Sequence, residues 1–352
     1  MAVKLVGIEQ MALAEVEKPS KIGPDEVLIR ILSVGVCGSD VHYYSDGKIG
    51  SQVVEYPFIV GHECSGIIEA CGAAVFHVKV GDLVVVDPSV HCGRCDQCLG
   101  GRPHTCRNNR FLGCPGQLEG CLAEYLVMPA FTCFPVTGMM DATEAALIEP
   151  LTIGVYSVKL ASLASSAASV AIFGAGPIGL SILLKLLADG VSKITMVEPL
   201  DYRLELAGKM GAFRQINPLK EEVFAAVAKE EKLLLDVVFE ASGEQESVDH
   251  ALKILKPGGK LVLVGIPASA CYRFDMDLMR RKEITVVNVR RQNHCVEEAI
   301  DLVASRKVDV KKMVTHYFAP EETPAAFAMV AGYKDGVVKA MIDFGTEPSG
   351  KG

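Results

Sequence analysis

The sequence contains no tryptophan, and aromatic side chains make up only 6% of its 352 residues. Basic residues are also scarce, because 43 acidic residues against 35 basic ones give a formal net charge of −8. A protein that neutralises phosphate backbones needs a basic surface, so nucleic acid is not expected as a main partner. Half of the residues are hydrophobic and 33 are glycine, a composition typical of a folded α/β protein.

A long apolar run is missing as well. No segment reaches the roughly 18 uncharged apolar residues of a membrane span, and the run 180–188 contains Ser181 and Lys185. The first nine residues have no apolar core of signal-peptide length, so we expect a cytoplasmic protein with no membrane partner. At roughly 150 residues per domain, the length predicts two domains.

The pattern of the chain changes after residue 150. Before it, the alternation in 26–33 and the run 83–86 predict short strands, with turns in stretches such as 45–50. Beyond it, a helix is expected at 151–166. The next predicted strands are 170–173, 193–197, 236–239, 260–264 and 284–289, and the predicted helices are 178–188 and 202–210. This alternation predicts a parallel sheet with right-handed crossovers, whereas the tail from about Cys295 is too short for a domain of its own.

A glycine-rich turn follows the first of these strands. Its candidate cofactor residues are Gly174, Gly176, Ile178 and Gly179. Glycines at this spacing allow a tight turn and the close approach of a pyrophosphate to a helix N-terminus. Glu198 ends the next strand, where a carboxylate can accept hydrogen bonds from ribose hydroxyls and repel a 2′-phosphate. The pattern predicts a dinucleotide and favours NAD, while Arg203 could hold the phosphate of NADP. The alternative is a plain turn with a surface glutamate.

Ten of the twelve cysteines lie between positions 37 and 133, which in a cytoplasmic protein indicates metal binding rather than disulfides. Four of them, Cys92, Cys95, Cys98 and Cys106, share a short polar stretch. Four thiolates suit a tetrahedral zinc ion with no open position, so we expect a structural site. The alternative, free cysteines in a loop, is disfavoured because exposed thiols oxidise.

A second candidate metal site is mixed in chemistry. Cys37, His62 and Glu63 offer sulfur, nitrogen and oxygen with room for an exchangeable ligand, which is typical of a catalytic zinc. His42 could equally be a partly buried structural histidine, and Glu149 could be an ordinary exposed acid. The other cysteines are interpreted as small apolar residues, namely Cys64, Cys71, Cys114, Cys121, Cys133, Cys271 and Cys295.

Together these residues resemble the zinc-dependent medium-chain alcohol and polyol dehydrogenases over essentially the whole chain. The zinc signature of that family is matched by Gly61, His62, Glu63, Gly66, Gly72 and Val75. The segment Cys37–Tyr43 and the step Glu149–Pro150 are most similar to sorbitol (polyol) dehydrogenases. Simple alcohol dehydrogenases have Cys at position 149, and threonine dehydrogenases typically have Thr at position 39 and Asp at 149. Ser39 and Glu149 therefore favour a polyol as the substrate.

The resemblance implies an α/β fold with two domains. One is a GroES-like β-barrel catalytic domain formed by residues 1–150 and 291–352. The other is a Rossmann coenzyme domain, a doubly wound parallel sheet, at residues 151–290, with the active site in the cleft between them. It also implies two zinc ions per chain, NAD as the cofactor, and a homo-oligomer, specifically a tetramer.

The same resemblance assigns roles to the catalytic residues. Cys37, His62 and Glu63 would hold the catalytic zinc, and Glu149 would ligate the metal or hold its water. A secondary hydroxyl of the polyol would give a hydride to NAD, forming a ketose. Its proton would leave through Ser39 and the cofactor ribose toward His42, or through the water held by Glu149.

Further residues would orient the metal ligand, the substrate and the nicotinamide. Asp40 would fix the tautomer of His62. Tyr43 and Arg291 would contact other polyol hydroxyls, as Glu149 would, although Gln292 replaces the Tyr that usually follows this Arg in sorbitol dehydrogenases. The nicotinamide side of the cleft would be lined by Val264, Gly265 and Ile266.

Three alternatives remain open. A threonine 3-dehydrogenase or a sugar-acid (galactonate-type) dehydrogenase would use the same metal sites. A zinc module that contacts nucleic acid or protein through 92–106 is disfavoured by the acidic charge. A non-catalytic relative is disfavoured by the intact Cys37, His62 and Glu63.

Overall fold

The computed structural model describes residues 1–267 and 271–345, which divide into two compact units. Of the described residues, the first unit contains Met1–Glu149, Ala299–Ser305 and residues 314–345. The second contains Pro150–Glu298 and Arg306–Met313, so it extends beyond the 151–290 range expected from the sequence. Among the described residues, no helix has the length and apolarity needed to cross a membrane.

The strands and helices are numbered in chain order. The strands are β1 (Ala2–Gly7), β2 (Gln10–Ala14), β3 (Glu26–Gly35), β4 (Lys48–Ile49), β5 (Gln52–Val53), β6 (Glu63–Cys71), β7 (Leu83–Val86), β8 (Ser89–Val90), β9 (Arg110–Phe111), β10 (Tyr125–Pro129), β11 (Cys133–Pro135), β12 (Ser169–Phe173), β13 (Lys193–Val197), β14 (Arg214–Ile216), β15 (Leu235–Glu240), β16 (Leu255–Leu263), β17 (Thr285–Asn288), β18 (Val314–Phe318) and β19 (Lys339–Asp343). The α-helices are α1 (Gly38–Asp46), α2 (Asp96–Leu99), α3 (Ala142–Ala146), α4 (Ile148–Ala161), α5 (Pro177–Ala188), α6 (Asp201–Met210), α7 (Val223–Glu230), α8 (Gln245–Ile254), α9 (Met276–Lys282), α10 (Val296–Ala304) and α11 (Thr323–Ala331). Short 3₁₀ turns lie at Pro103–Thr105, Ala130–Thr132, Val310–Met313 and Pro320–Glu322.

The first unit is built around strand β3. In its seven-stranded sheet the strands follow the order β11-β7-β6-β3-β19-β18, and β10 also pairs with β3. Val27, Ile29 and Ile31 are buried as the alternation predicts, but Leu28 and Leu32 are buried too. Helix α3 packs against β3 and β6. Because β19 pairs antiparallel with the end of β3, the C-terminal strand belongs to this unit.

The second unit is a six-stranded sheet in which every neighbouring pair is parallel, and the order is β14-β13-β12-β15-β16-β17. The predicted parallel sheet is therefore confirmed. The strand order reverses between β12 and β15, and ligands of such sheets bind beyond the carboxyl ends of the strands at that point. The glycine turn at 174–179 follows β12 directly, so the fold places it there.

Two helices of the first half differ from the sequence prediction. Helix α1 runs to Asp46, where turns were predicted from position 45. Asp40 Oδ2 accepts a hydrogen bond from the backbone N–H of Cys37 (3.4 Å) at its start, and Gly47 ends it in a left-handed conformation. Helix α4 begins at Ile148 rather than after Pro150. A proline is tolerated in the first turn because its missing N–H would have no helical partner there.

Candidate metal centre and dinucleotide site

Three predicted metal ligands meet where β3 ends and β6 begins. Cys37 precedes α1, and Glu63 opens β6 directly opposite Gly35 of β3. The ligand atoms of Cys37, His62 and Glu63 all lie within 4.8 Å of one another. A Cβ atom at position 35 would collide with Glu63 Oε2, so a side chain there would displace this carboxylate from its present position. The donor set of one thiolate, one imidazole and one carboxylate fits zinc.

Asp40 lies behind His62, as the sequence predicts. Its Oδ1 is 3.3 Å from His62 Nδ1 and accepts a hydrogen bond from the Gly61 N–H (3.2 Å). A carboxylate only accepts, so the Nδ1 hydrogen points to Asp40 and Nε2 is the nitrogen left to bind a metal, which would displace any proton held there. Burial lowers the pKa of His62, but Asp40 and Cys37 outweigh it and hold the pKa well above its usual value. The Phe111 ring lies 5.4 Å from the imidazole, centroid to centroid.

Glu149 is a buried carboxyl group rather than an exposed acid. It lies in the first turn of α4 and is only 9% exposed. Burial raises its pKa to about 7, and the negative charges of Glu63 and Asp87 act in the same direction. His62 and Lys339 oppose the shift. Two of the residues whose charges act on Glu149, His62 and Glu63, are candidate metal ligands. The carboxyl group of Glu149 therefore lies in the same electrostatic environment as the candidate metal site.

Lys339 completes this region and was missed by the sequence analysis. Its Nζ is 2.6 Å from Glu63 Oε2 and donates to the Val36 carbonyl (3.1 Å), and both charged side chains are 1% exposed. Burial lowers the lysine pKa, but Glu63, Cys37 and Glu149 outweigh it, so the pKa is raised. The sequence signal was a lysine directly before the apolar residues Ala340, Met341 and Ile342 of strand Lys339–Asp343. Alone, such a lysine is more often exposed.

The predicted relay residues lie on the same helix but have different surroundings. Ser39 Oγ donates to Cys37 Sγ (3.4 Å), so it lies beside a candidate ligand. His42 Nδ1 is 3.2 Å from Asp46 Oδ2 on the half-exposed side of α1. Tyr43 is buried and its hydroxyl donates to Gln52 Oε1 (3.2 Å). Arg291 belongs to the second unit and has a left-handed backbone with φ of 54°.

The four-cysteine cluster forms as predicted. The sulfurs of Cys92, Cys95, Cys98 and Cys106 lie within 4.8 Å of one another, with Cys95 3.6 Å from Cys98 and 3.8 Å from Cys106. A tetrahedron with Zn–S bonds of about 2.3 Å has sulfur separations of about 3.8 Å, so the cage fits zinc. Backbone N–H groups, that of Arg94 foremost, lower the pKa of Cys92 to about 6, whereas burial followed by neighbouring thiols raises that of Cys98 to about 12.

The other cysteines do not all match the interpretation as packing residues. Cys64, Cys121, Cys133 and Cys295 are buried and Cys71 is half-buried. Cys271 is exposed, so the packing prediction is wrong there. Cys114 is buried, but its sulfur accepts a hydrogen bond from Gln52 Nε2 (2.8 Å). It therefore makes a polar contact in addition to packing. Free cysteines are often buried, so sequence alone gives little to separate these cases.

In the second unit, the glycine turn and Glu198 form one hydrogen-bonded structure. Gly176 precedes α5, and a Cβ at Gly179 would collide with the Gly174 carbonyl, which explains the third glycine. Glu198 is 5% exposed, and its two oxygens accept from the N–H groups of Ala175 (2.8 Å) and Leu200 (3.1 Å). The carboxylate therefore holds the turn in addition to any contact with a ribose.

The remaining predicted cofactor residues lie near the same edge of the sheet. Arg203 Nη1 is 3.7 Å from the position that a Cβ of Gly176 would take. Val264 and Gly265 follow β16, and their N–H groups donate to the Glu240 carbonyl (2.8 and 2.9 Å). Ile266 is 49% exposed. Ligands of such sheets bind at this edge, and the contacts of these residues with a dinucleotide stay a prediction.

Comparison with known proteins agrees with this geometry. A model described as "Alcohol dehydrogenase GroES-like domain" matches residues 23–138, and one described as "Zinc-binding dehydrogenase" matches residues 177–305. The chain is 36% identical to a sorbitol dehydrogenase of Bacillus subtilis over 91% of each chain. It is 32% identical to an L-idonate 5-dehydrogenase of Vitis vinifera, covering 97% of this chain and 94% of the relative. The solved structure of an Escherichia coli oxidoreductase/dehydrogenase of unknown specificity has a TM-score of 0.89 and 31% identity, covering 97% and 98% of the chains. The expected GroES-like and Rossmann folds are confirmed.

Proposed function

Because the chain belongs to the zinc-binding alcohol dehydrogenase family with a GroES-like domain, we propose that it oxidises a secondary hydroxyl of a sorbitol- or xylitol-like polyol to a ketose with NAD. The observation that carries the proposal is the Cys37–His62–Glu63 cluster with Asp40 behind the histidine. Similarity to a sorbitol dehydrogenase over 91% of the chain supports the polyol.

The bound groups would supply the two halves of an alcohol oxidation. Zinc held by Cys37, His62 and Glu63 would act as a Lewis acid that lowers the pKa of the substrate hydroxyl, and NAD would accept the hydride. The alcohol thus loses one hydride and one proton and becomes a carbonyl. The protein must position that alcohol and receive the proton.

Each candidate residue has a task in this proposal. Asp40 keeps the hydrogen of His62 on Nδ1, and Lys339 holds Glu63 in place. The Glu149 carboxylate receives the proton directly or through a water, and the second route runs through Ser39 Oγ toward His42. Tyr43, Glu149 and Arg291 contact the substrate.

The cofactor is held by the second unit. The 174–179 turn and the start of α5 receive the pyrophosphate, and Glu198 faces the ribose. NAD is the proposed cofactor because a carboxylate at this place disfavours a 2′-phosphate, although Arg203 lies near the turn. Cys92, Cys95, Cys98 and Cys106 hold a second, structural zinc.

A substrate panel tests the proposal. Polyols, aldonates and threonine are offered with NAD and with NADP, and NADH or NADPH formation is read by its absorbance. Turnover of polyols above the other classes supports the proposal. A preference for aldonates would favour the second candidate, a sugar-acid dehydrogenase, which is supported by the similarity to an L-idonate 5-dehydrogenase. Cys37→Ala is the matched control and should abolish turnover in a folded protein.

Two further parts of the proposal concern the protein as a whole. We propose a homo-oligomer, a tetramer by family resemblance, which sedimentation of the purified enzyme tests. We also propose a cytoplasmic location, which fractionation of the source cells tests.

A further inference from the structure

Glu240 is a fully buried acid at the carboxyl end of strand β15 in the second unit. The residue is 0% exposed. Its Oε1 accepts hydrogen bonds from the N–H groups of Ser242 (2.7 Å) and Gly243 (2.8 Å) and from the Ser242 hydroxyl (2.6 Å). Its Oε2 accepts one from the Tyr272 hydroxyl (3.2 Å). These donors are neutral, so hydrogen bonds that converge on the carboxylate compensate for its burial.

The backbone of Glu240 binds a second segment, the one that follows strand β16. Its carbonyl oxygen accepts from the N–H groups of Val264 (2.8 Å) and Gly265 (2.9 Å). A Cβ at Gly265 would lie 2.7 Å from Glu240 Oε2 and would also collide with the Gly243 nitrogen. Glycine at position 265 therefore lets the two segments pack directly on each other and on Glu240. One residue thus joins the segments that follow two neighbouring strands.

The segment after β15 also lies against the glycine turn of the proposed cofactor site. Phe173 and Glu240 are paired on the parallel strands β12 and β15, and the Ala241 N–H donates to the Phe173 carbonyl (2.8 Å). A Cβ at Gly174 would lie 3.0 Å from the Ala241 carbonyl oxygen. The strand order reverses between β12 and β15, and sheets of this kind bind ligands beyond that point.

Glu240 is buried, but the segments that it holds include exposed residues. Ser242 is exposed, and Ile266 is 49% exposed. Gly243, between them in space, is buried and has a left-handed backbone with φ of 81°. Without the carboxylate, its buried N–H would lose this acceptor, which is costly, and the segment would shift toward other partners. A surface that is already ordered binds a ligand more tightly than one that must first be ordered.

We propose that Glu240 is a positioning residue for the dinucleotide. Its hydrogen bonds fix segments 241–243 and 264–266 beside the glycine turn, so cofactor affinity depends on Glu240 although its own side chain is buried beneath them. The proposal rests on the proposed function, because it takes the 174–179 turn as the cofactor site. It adds a residue outside the glycine motif and assigns the effect to the hydrogen bonds of the carboxylate rather than to its charge.

Cofactor binding to the full chain tests the proposal. NADH and NADPH are titrated by their fluorescence, and the one that wild type binds more tightly is used for every variant. Glu240→Leu removes the acceptors and should weaken binding by about tenfold. Glu240→Gln keeps an acceptor oxygen for the Ser242 and Gly243 N–H groups, so its affinity should stay within about twofold of wild type. Glu240→Asp keeps the charge but is one methylene shorter, so it should bind more weakly than Glu240→Gln.

Asp236 provides a matched control near the opposite end of the same strand. Its Oδ2 accepts from the Ser169 N–H (2.8 Å), and its Oδ1 pairs with Lys256 Nζ. Asp236→Leu removes a carboxylate that joins segments at the amino edge of the sheet, away from the glycine turn. It should lower the melting temperature but leave cofactor affinity within about twofold of wild type.

The outcomes separate positioning from general damage. If Glu240→Leu lowers the melting temperature but binds the cofactor like wild type, Glu240 only stabilises the fold and the proposal is wrong. Equal losses of affinity in Glu240→Gln and Glu240→Leu would assign the effect to charge and would also overturn it. If Glu240→Leu does not fold, Glu240→Gln against Glu240→Asp decides, and equal affinities overturn the proposal. A wild-type chain that binds neither nucleotide defeats the proposed function itself, whereas unchanged affinities in the variants defeat only the role of Glu240.

Discussion

Replacing Lys339 with Met tests the electrostatic description of the metal centre most directly. The substitution keeps the length and the apolar stem of the side chain but removes the cation that lies 2.6 Å from Glu63 Oε2. Both side chains are 1% exposed, so solvent does not screen the pair. Removing one partner of a buried pair typically costs about 3–5 kcal/mol. That is a large share of a total stability of about 5–15 kcal/mol.

The cost should depend on the metal. In chelator-treated protein, Glu63 loses its cation and we expect the full loss of about 3–5 kcal/mol in the free energy of unfolding. Added zinc supplies another positive charge beside Glu63, so the difference from wild type should shrink. Urea unfolding with matched m-values, with and without zinc, measures both quantities. The double variant Lys339→Met with Glu63→Leu should recover much of the loss, because a buried pair is often replaceable by apolar groups.

A matched control uses a lysine whose ion pair is exposed. Lys193 Nζ lies 3.1 Å from Glu231 Oε1, and its side chain is 50% exposed. Lys193→Met should cost less than about 1 kcal/mol. A cost below about 1 kcal/mol for Lys339→Met in metal-free protein, or equal costs for the two variants, would show that Lys339 and Glu63 do not form an unscreened buried pair.

Three further predictions follow from other sites. Cys98→Ser should remove about one zinc per chain by metal analysis and lower the melting temperature more than it lowers turnover per folded enzyme; loss of turnover at unchanged stability would contradict a structural role. Glu198→Ala should weaken NAD binding roughly 10- to 100-fold, and NADP less, because it removes the charge-assisted hydrogen bond to the Ala175 N–H and the proposed hydrogen bonds to the ribose. Equal losses in titrations of the two cofactors would argue against the ribose contact. Glu298→Gln should lower the melting temperature at pH 7 because Glu298 pairs with Lys159 (2.7 Å) and Lys185 (3.0 Å). Burial opposes the ionisation of Glu298, but Lys159 and Lys185 outweigh it and hold the pKa of Glu298 below the usual 4.5. The ionised Glu298 therefore stabilises the fold above pH 4.5, and this stabilisation disappears as the pH falls through the lower pKa of the folded state. A melting difference that persists in acid would contradict this.

The parts of the fold that sequence predicted well are those set by local signals. Strands 193–197 and 83–86 have the predicted bounds, because runs of β-branched and apolar residues there are bounded by polar or turn residues. The four-cysteine cluster and the Cys37–His62–Glu63 cluster were predicted from ligand chemistry and spacing. In the structure the ligand atoms of each cluster lie close together.

The parts that sequence did not predict depend on distant partners. Lys339 and Glu63 are 276 positions apart in the sequence. Their contact becomes evident only when β19 and β6 are seen to pair with the same strand, β3. Gln52 meets Cys114 across 62 positions, and neither residue belongs to a motif. Glu198 was expected to face a ribose, but its bond to the Ala175 N–H depends on how the two strand ends align. Helix α1 was missed because its start uses a backbone hydrogen bond to Asp40 that composition does not reveal.

The position of Lys339 on the last strand also bears on how the protein is made. Glu63 leaves the ribosome 276 residues before Lys339. At about 5–20 residues per second, roughly 14–55 seconds pass in which the carboxylate has been synthesised and its cation has not. During that interval β3 also lacks its neighbour β19. A nascent chain thus contains Cys37, His62 and Glu63 early, but the charge of Glu63 can be balanced by Lys339 only after strand β19 has emerged. A message truncated upstream of that strand would yield a chain in which Lys339 never neutralises Glu63.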